Sequence, residues 1–481
     1  MSLKHKAIIG ILWNTFELLG GRVVQLMITI ILARILIPED FGVIALLIVF
    51  TELSKVISDS GFSQALIRKK VTTDKDYTAV FYFNIIVSSC LYIILYYSAP
   101  HISNFYNYPE LTNISKVIFL TIVINSFALV PDAIARRAVN FKILAQRTLI
   151  ANFIAGIIAV YLAYAGFGVW SLVLQMLIAS ILRVILLWVS TTWRPSLTID
   201  FYPIKSMFAF SGNLLLSGII DSIVANIQTL LIGKFYTNAD VGFYSQANLL
   251  ATVPSQTLTL VVKNVTYPIL STVDNDKYMK SAYRKIISIA VFIVFPMMLG
   301  LMAIAEHLIP LLLGDKWIPA VNYFMLLCLM GAIFPLYMIS QNIFLARGNS
   351  KLYLKISIVQ RFITLLGLLI TIKYSVLALV IGQVVTTAIN TILTMYYSGK
   401  EINYNFLEQL KDISGIILAS VSMFAIIYTL GYNLNIDNPL LIMFIQTIVG
   451  LLVYFALAFI FKLTILTEFK SIINNLKNKV K

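Results

Sequence analysis

The side chains best suited to chemistry in this chain are polar and charged residues set inside long apolar stretches. Thr15, Arg22 and Thr29 recur every seven residues with Gln25 beside them. On a helix this gathers two hydroxyls, a guanidinium and an amide onto one face. A charge at the centre of a bilayer costs roughly 2.5–3.5 kcal/mol on insertion scales, so Arg22 needs either a partner or a task. The partner would be Glu17; the task would be to line a wet cavity that receives an anionic headgroup. Arginine suits a diphosphate because its planar fork makes paired, charge-assisted hydrogen bonds. Asn213, Ser217, Asp221 and Gln228 fall within a narrow arc of a later helix. They form either a buried hydrogen-bonding face or, with Asp221 mirroring Arg22, part of an ion-coupled gate to which Glu17 also contributes. Glu52, Lys55 and Asp59, three and four residues apart, make either a self-neutralising ladder or, with Lys55 turned to the lumen, a phosphate contact. Arg183 and Arg361 lie within two turns of expected helix ends, where long side chains either snorkel or serve as further cavity cations. His5, His101 and His307 have no metal-ligand spacing, and Cys90 and Cys328 sit in apolar spans as small core residues. No cofactor is expected.

The elements that must position these residues follow from composition. The chain has 481 residues, 59% hydrophobic and 12% charged, with a mean hydropathy of +0.90, which excludes a soluble fold. Apolar stretches of roughly 20 residues, each long enough to cross a bilayer as a helix, recur from Ile8 to Phe461. Alternating strands are absent, so a barrel is excluded and an all-α polytopic membrane protein is expected. We place spans near 10–36, 42–62, 77–99, 112–131, 148–165, 169–190, 208–233, 241–268, 285–305, 319–345, 354–372, 375–397, 411–431 and 439–461, about fourteen in all. The start, with Glu17 and Arg22 inside it, reads as a retained helix rather than a signal peptide. With the N-terminus inside, nearly every loop Lys and Arg falls on that side, and the opposite side receives only Arg34, Lys234, Lys316 and Lys373. Both termini are therefore expected in the cytoplasm. The net charge of +15 becomes a cytoplasmic face for anionic membrane lipid, not a nucleic-acid surface. Trp13, Trp170, Trp188, Trp193 and Trp317 stand at expected span ends as an aromatic belt, and Thr464–Lys481 reads as a basic interfacial helix.

A repeat at 200 residues aligns Leu32-Ala33-Arg34 and Asp40-Phe41-Gly42 with Ile232-Gly233-Lys234 and Asp240-Val241-Gly242. Spans six apart keep their orientation, so the repeats are parallel and related by an axis along the membrane normal. The expected plan is a six-helix lobe over 1–200, a second over 201–400, and two extra helices with the basic tail over 401–481. Such a bundle is a transporter architecture with its substrate site between the lobes.

The run Leu32-Ala33-Arg34-Ile35-Leu36-Ile37-Pro38-Glu39-Asp40-Phe41-Gly42, followed by Asp59-Ser60-Gly61-Phe62-Ser63-Gln64-Ala65-Leu66-Ile67, resembles the opening of bacterial polysaccharide transporters. These are the Wzx-type flippases of the multidrug/oligosaccharidyl-lipid/polysaccharide exporter superfamily. Leu311 to Trp317 is similar to another recurrent segment of that family. The resemblance implies inner-membrane export of undecaprenyl-pyrophosphate-linked repeat units, for O-antigen, capsule or exopolysaccharide, by alternating access and without covalent chemistry. It also implies a lipid-linked oligosaccharide substrate and association with polymerase and export machinery. Arg22 and the Ala33-Arg34 pair are placed similarly to arginines of lipid II flippases, which makes Arg34 a further rim candidate. Lacking a Walker A motif, the chain would draw on a Na⁺ or H⁺ gradient or on consumption of product outside. Two rivals stand beside this reading. A drug/cation antiporter of the same architecture would rely on acids such as Asp221 and Glu17. A membrane glycosyltransferase would use the two-acid spacing of Asp274-Asn275-Asp276, but the chain offers no sizeable outer loop for an active site.

Overall fold

In hydrocarbon the backbone has no partner but itself, so each apolar stretch must close its hydrogen bonds as a helix. The computed structural model describes residues 3–463 and 465, apart from 70, 139, 198, 199, 272–274, 435 and 437. Side chains are described for these except 3–12, 14, 15, 18, 206, 208–211, 213, 214, 260–271 and 350. In chain order the helices are α1 (Leu3–Ile35), α2 (Pro38–Asp59), α3 (Phe62–Arg68), α4 (Asp74–Phe105), α5 (Leu111–Ser126), α6 (Leu129–Arg137), α7 (Phe141–Tyr164) and α8 (Val169–Ser190). Then follow α9 (Tyr202–Phe235), α10 (Asn238–Ser271), α11 (Asp276–Ala303), α12 (Ala305–Leu313), α13 (Ala320–Ala346), α14 (Ser350–Thr371), α15 (Val376–Glu401), α16 (Phe406–Asn433) and α17 (Pro439–Ile460). The described residues contain no strand.

Eleven helices among the described residues are long and apolar enough to cross a membrane, or twelve when α5 and α6, bent by 43° at their junction, count as one span. The count of about fourteen is met in part: α1 and α10, both expected as spans, are outside that set, and both include side chains beyond the described ones. Helices start earlier than hydropathy alone suggests, because polar caps extend them past the apolar run. At α4 Thr73 and Asp76 satisfy each other's amides, at 3.4 and 2.9 Å, and at α11 Asn275 accepts the Lys277 amide at 2.8 Å. The span expected at 112–131 is broken instead of continuous, and the Phe127 carbonyl at the break accepts the Trp188 indole N–H at 2.9 Å.

The chain divides into two compact units, Met1–Ser245 and Gln246–Lys481. In the first, α1 lies along α7, where Gly20 faces Leu149, Gly21 faces Thr148 and Gly156 faces Ile28. Small residues let the backbones approach. Helix α9 packs on α2, α3 and α4 and so groups with this unit. The repeat is visible as structure: a Cβ on Gly42 would stand 1.8 Å from the Asn238 carbonyl oxygen, and one on Gly242 would stand 2.0 Å from that of Pro38. The two Asp-x-Gly segments thus fit each other reciprocally at the starts of α2 and α10. In both, the aspartate closes the helix start: Asp40 accepts the Ile37 amide at 3.3 Å and Asp240 that of Thr237 at 3.1 Å.

In the second unit α13 packs on α11 and α15, α14 on α15, and the helices beyond the repeat, α16 and α17, on α11 and each other. Buried Tyr283 of α11 bonds Ser340 at 2.7 Å and donates to Gln409 at 3.2 Å, while Tyr454 donates to the Phe292 carbonyl at 2.8 Å. Asp276 pairs with Arg347 and accepts the Asn403 amide at 3.3 Å, so its role is to tie helix ends; Asp274 lies outside the described residues. Trp317 is fully buried, and Trp188 and Trp193 cluster around Phe81, with ring centroids 5.8 and 5.7 Å away. Cys90 is exposed, not core; Cys328 is buried. The tail from Thr464 lies outside the described residues apart from Ile465.

Candidate functional site

Helix α1 has three sides. One meets α7 through Gly20, Gly21 and Ile28. A second, carrying Phe16, Val23, Met27 and Ile31, is exposed and apolar, as lipid contact requires. Arg22, Gln25 and Thr29 share the remaining sector, Gln25 exposed and the other two half-buried; the Thr15 side chain is not among those described. Helical geometry turns Glu17 about 140° around the helix from Arg22. Its carboxylate lies within electrostatic reach of Arg136, Arg147 and Asp132, and its Oε2 is buried without a hydrogen-bond partner.

Asp132 organises this neighbouring network. It accepts Arg136 Nε at 2.6 Å and also pairs with Arg147 Nη2, whose side chain is only 11% exposed. The four-residue spacing of Asp132 and Arg136 on α6 was a readable signal. Arg147 looked like a loop cation in the sequence and proves to be an internal one. Arg183 does not snorkel: its head turns back along α8, donating to the Ala179 carbonyl at 3.1 Å and approaching Ser180 Oγ at 3.5 Å. Among the described residues it has no carboxylate partner, and Arg147 is close enough to repel it. Half-buried and paired only with neutral oxygens, Arg183 is a cation whose charge the fold leaves uncompensated.

The Glu52–Lys55–Asp59 ladder is loose. Lys55 approaches Glu52 only to 3.9 Å, with the two side chains 73% and 51% exposed, while Asp59 accepts the Ser63 amide at 3.0 Å instead. Lys55 therefore presents its ammonium to the surroundings. The α9 stripe divides: Ser217 and Asp221 are exposed, Gln228 is buried with Nε2 unpartnered, and the Asn213 side chain lies outside the described residues. Gly218 and Gly233 carry the contact with α2, facing Val56 and Leu46, so the exposed part of the stripe is not the packing face. Arg34 is exposed in the last turn of α1, where a cation complements the helix dipole. Arg361 is half-buried on α14 in the other unit.

Sequence reasoning weighed amides and hydroxyls on α1 and α9 but passed over those of α10, α13 and α15. In the second unit Thr252 and Gln256 of α10, Phe334 and Tyr337 of α13, and Thr387 and Asn390 of α15 help to line a cleft of about 230 Å³. The readable signal was the polar series Thr387, Asn390, Thr391 and Thr394 inside one apolar span.

The arrangement combines helices of membrane length with polar faces inside them. The family described as "Polysaccharide biosynthesis protein" matches the chain over residues 31–322. The chain belongs to this family. The chain is 24% identical to the lipopolysaccharide biosynthesis protein WzxC of Escherichia coli (strain K12), over 84% of this chain and 82% of that one. Its fold is similar to that of the lipid II flippase MurJ in an inward closed conformation, with a TM-score of 0.74 at 16% identity over 93% of this chain and 98% of the other. It is also similar to an inward-facing multidrug resistance MATE family transporter of the MOP superfamily, with a TM-score of 0.63 at 15% identity over 80% and 94% of the two chains. The resemblance drawn from residues 32–67 thus holds: this family member is a membrane protein with a transporter fold and a place in polysaccharide biosynthesis.

Proposed function

We propose that the protein is an inner-membrane flippase that carries undecaprenyl-pyrophosphate-linked oligosaccharide repeat units by alternating access, for O-antigen, capsule or exopolysaccharide synthesis. It crosses the membrane fourteen times, as six-helix lobes over 1–200 and 201–400 plus two helices over 401–481, with both termini cytoplasmic. Arg22, Gln25 and Thr29 receive the pyrophosphate with help from Lys55 and Arg183, and Asn213, Ser217 and Gln228 complete the polar path. Glu17 and Asp221 couple movement to a Na⁺ or H⁺ gradient; Arg34 and Arg361 act at the rims. No bond is broken, so the protein is not an enzyme. Polymerase and export machinery consume what it delivers.

The observation that supports this reading is the polar side of α1. A membrane helix with one face on lipid and another on α7 still presents a guanidinium, an amide and a hydroxyl along its third face. Such a face is worth its insertion cost when it replaces the hydration of an anion. Membership of the polysaccharide biosynthesis family and the likeness to a lipid II flippase support the same cargo class. A drug/cation antiporter would need acids at the deepest position, where this chain carries Arg22.

The test is translocation in reconstituted vesicles, read as the accessibility of a lipid-linked oligosaccharide to an impermeant glycosidase. The parent chain should move the intact lipid, and Arg22→Ala should slow it at least tenfold, the loss of one charge-assisted contact. Glycosyl transfer without movement would overturn the reading, and an Arg22→Ala chain as fast as the parent would remove the site.

A further inference from the structure

Diphosphate recognition leaves the cleft of the second unit unused. None of Thr252, Gln256, Phe334, Tyr337, Thr387 and Asn390 carries a formal charge at neutral pH, and the rest of the lining is Ser255, Met330 and Gly331. Its polar groups are fixed from behind. Buried Gln360 donates to Thr394 Oγ1 at 2.6 Å and to the Asn390 carbonyl at 3.0 Å, and accepts the Tyr337 hydroxyl at 3.3 Å. Asn390 Nδ2 donates to Thr364 Oγ1 at 3.1 Å. This holds the amide in place and leaves Asn390 Oδ1 buried without a donor. A buried acceptor left unmatched is costly, and this one belongs to a residue that lines the cleft.

The lining narrows the ligand class. An anion finds no cation here, and a cation finds no carboxylate. At about 230 Å³ the space lies below the 300–1,000 Å³ of sites for drug-sized molecules. What fits is a small, neutral ring that has several hydroxyls and an apolar face to set against Phe334 and Tyr337. We propose that this cleft binds one uncharged sugar ring, so that the first unit takes the pyrophosphate and the second reads the glycan. The inference rests on the flippase reading for the identity of the cargo, and on the cleft alone for the binding.

The experiment uses the full chain in lipid nanodiscs. The probe is the free oligosaccharide released by mild acid from the host's prenyl pyrophosphate pool, and binding is followed by saturation-transfer NMR. Transfer should concentrate on one ring. Asn390→Leu and the near-isosteric Thr387→Val should each weaken binding roughly tenfold with an unchanged melting temperature, and Thr447→Val, exposed on α17, should not weaken it. No transfer, or equal transfer to all variants, overturns the proposal. So does a stabilisation by Na⁺ alone that depends on Asn390 while the sugar is silent. In vesicles, Asn390→Leu should slow the glycan-bearing lipid more than bare prenyl pyrophosphate; equal slowing of both also overturns it. A parent chain that binds the sugar yet moves neither lipid removes the flippase reading and leaves the sugar site standing.

Discussion

Asp132 carries more of the first unit than its place in the first turn of a short helix suggests. It faces Arg136 at 2.6 Å and the largely buried Arg147. Removing one partner of a buried pair leaves the other charge without compensation, which costs about 3–5 kcal/mol. Asp132→Asn should therefore lower the midpoint of thermal unfolding in detergent, whereas Asp132→Asn combined with Arg147→Met should recover most of the loss. A double variant no better than the single would show that the pair is not the source. Sequence alone gave half of this network. The four-residue step from Asp132 to Arg136 was open to reading, but Arg147 joins from another helix, and only the packing of α6 on α7 brings it in. Arg183 was left between two readings for the same reason. Distance from a helix end says that a side chain can snorkel, not that its neighbours Ala179 and Ser180 hold it back. The second-unit cleft was missed because insertion cost singles out charges, and amides such as Asn390 are cheap enough to escape notice.

At the level of helices, hydropathy located nearly every element because the bilayer allows one solution to the backbone problem. It failed where side chains edit that solution. The break between α5 and α6 is accompanied by the Trp188 indole on the Phe127 carbonyl, a contact between residues far apart in sequence. The repeat was legible as a pattern, Asp-x-Gly twice, but not as an interface. The structure explains both glycines, since each is met by a main-chain carbonyl that no rotamer change can move aside. Gly42→Ala and Gly242→Ala should each destabilise the protein by about 1–3 kcal/mol, as overpacking does. Gly166→Ala, with nothing within 4 Å of its Cβ position but a φ of +84°, should be milder and purely conformational. Equal melting temperatures for Gly42→Ala and the parent would contradict the close approach.

For the whole molecule, charge distribution is the most informative quantity the sequence holds. Assigning alternate loops to one side gathers nearly every loop Lys and Arg there, and a single missed span would invert every loop beyond it. In a chain carrying Cys90→Ala and Cys328→Ala, Lys400→Cys should react with an impermeant maleimide only after cells are opened, and Lys373→Cys should react in intact cells. The reverse pattern would turn the proposed topology over. What composition could not supply was grouping: α9 belongs by contact with α2, α3 and α4, although the repeat assigns it to the start of the second half. Periodicity reports ancestry, whereas packing reports present neighbours. The reciprocal seat of Gly42 and Gly242 has a mechanical corollary. Because main chain meets main chain there, no rotamer can turn out of the way, and a side chain added at either glycine must part the starts of α2 and α10.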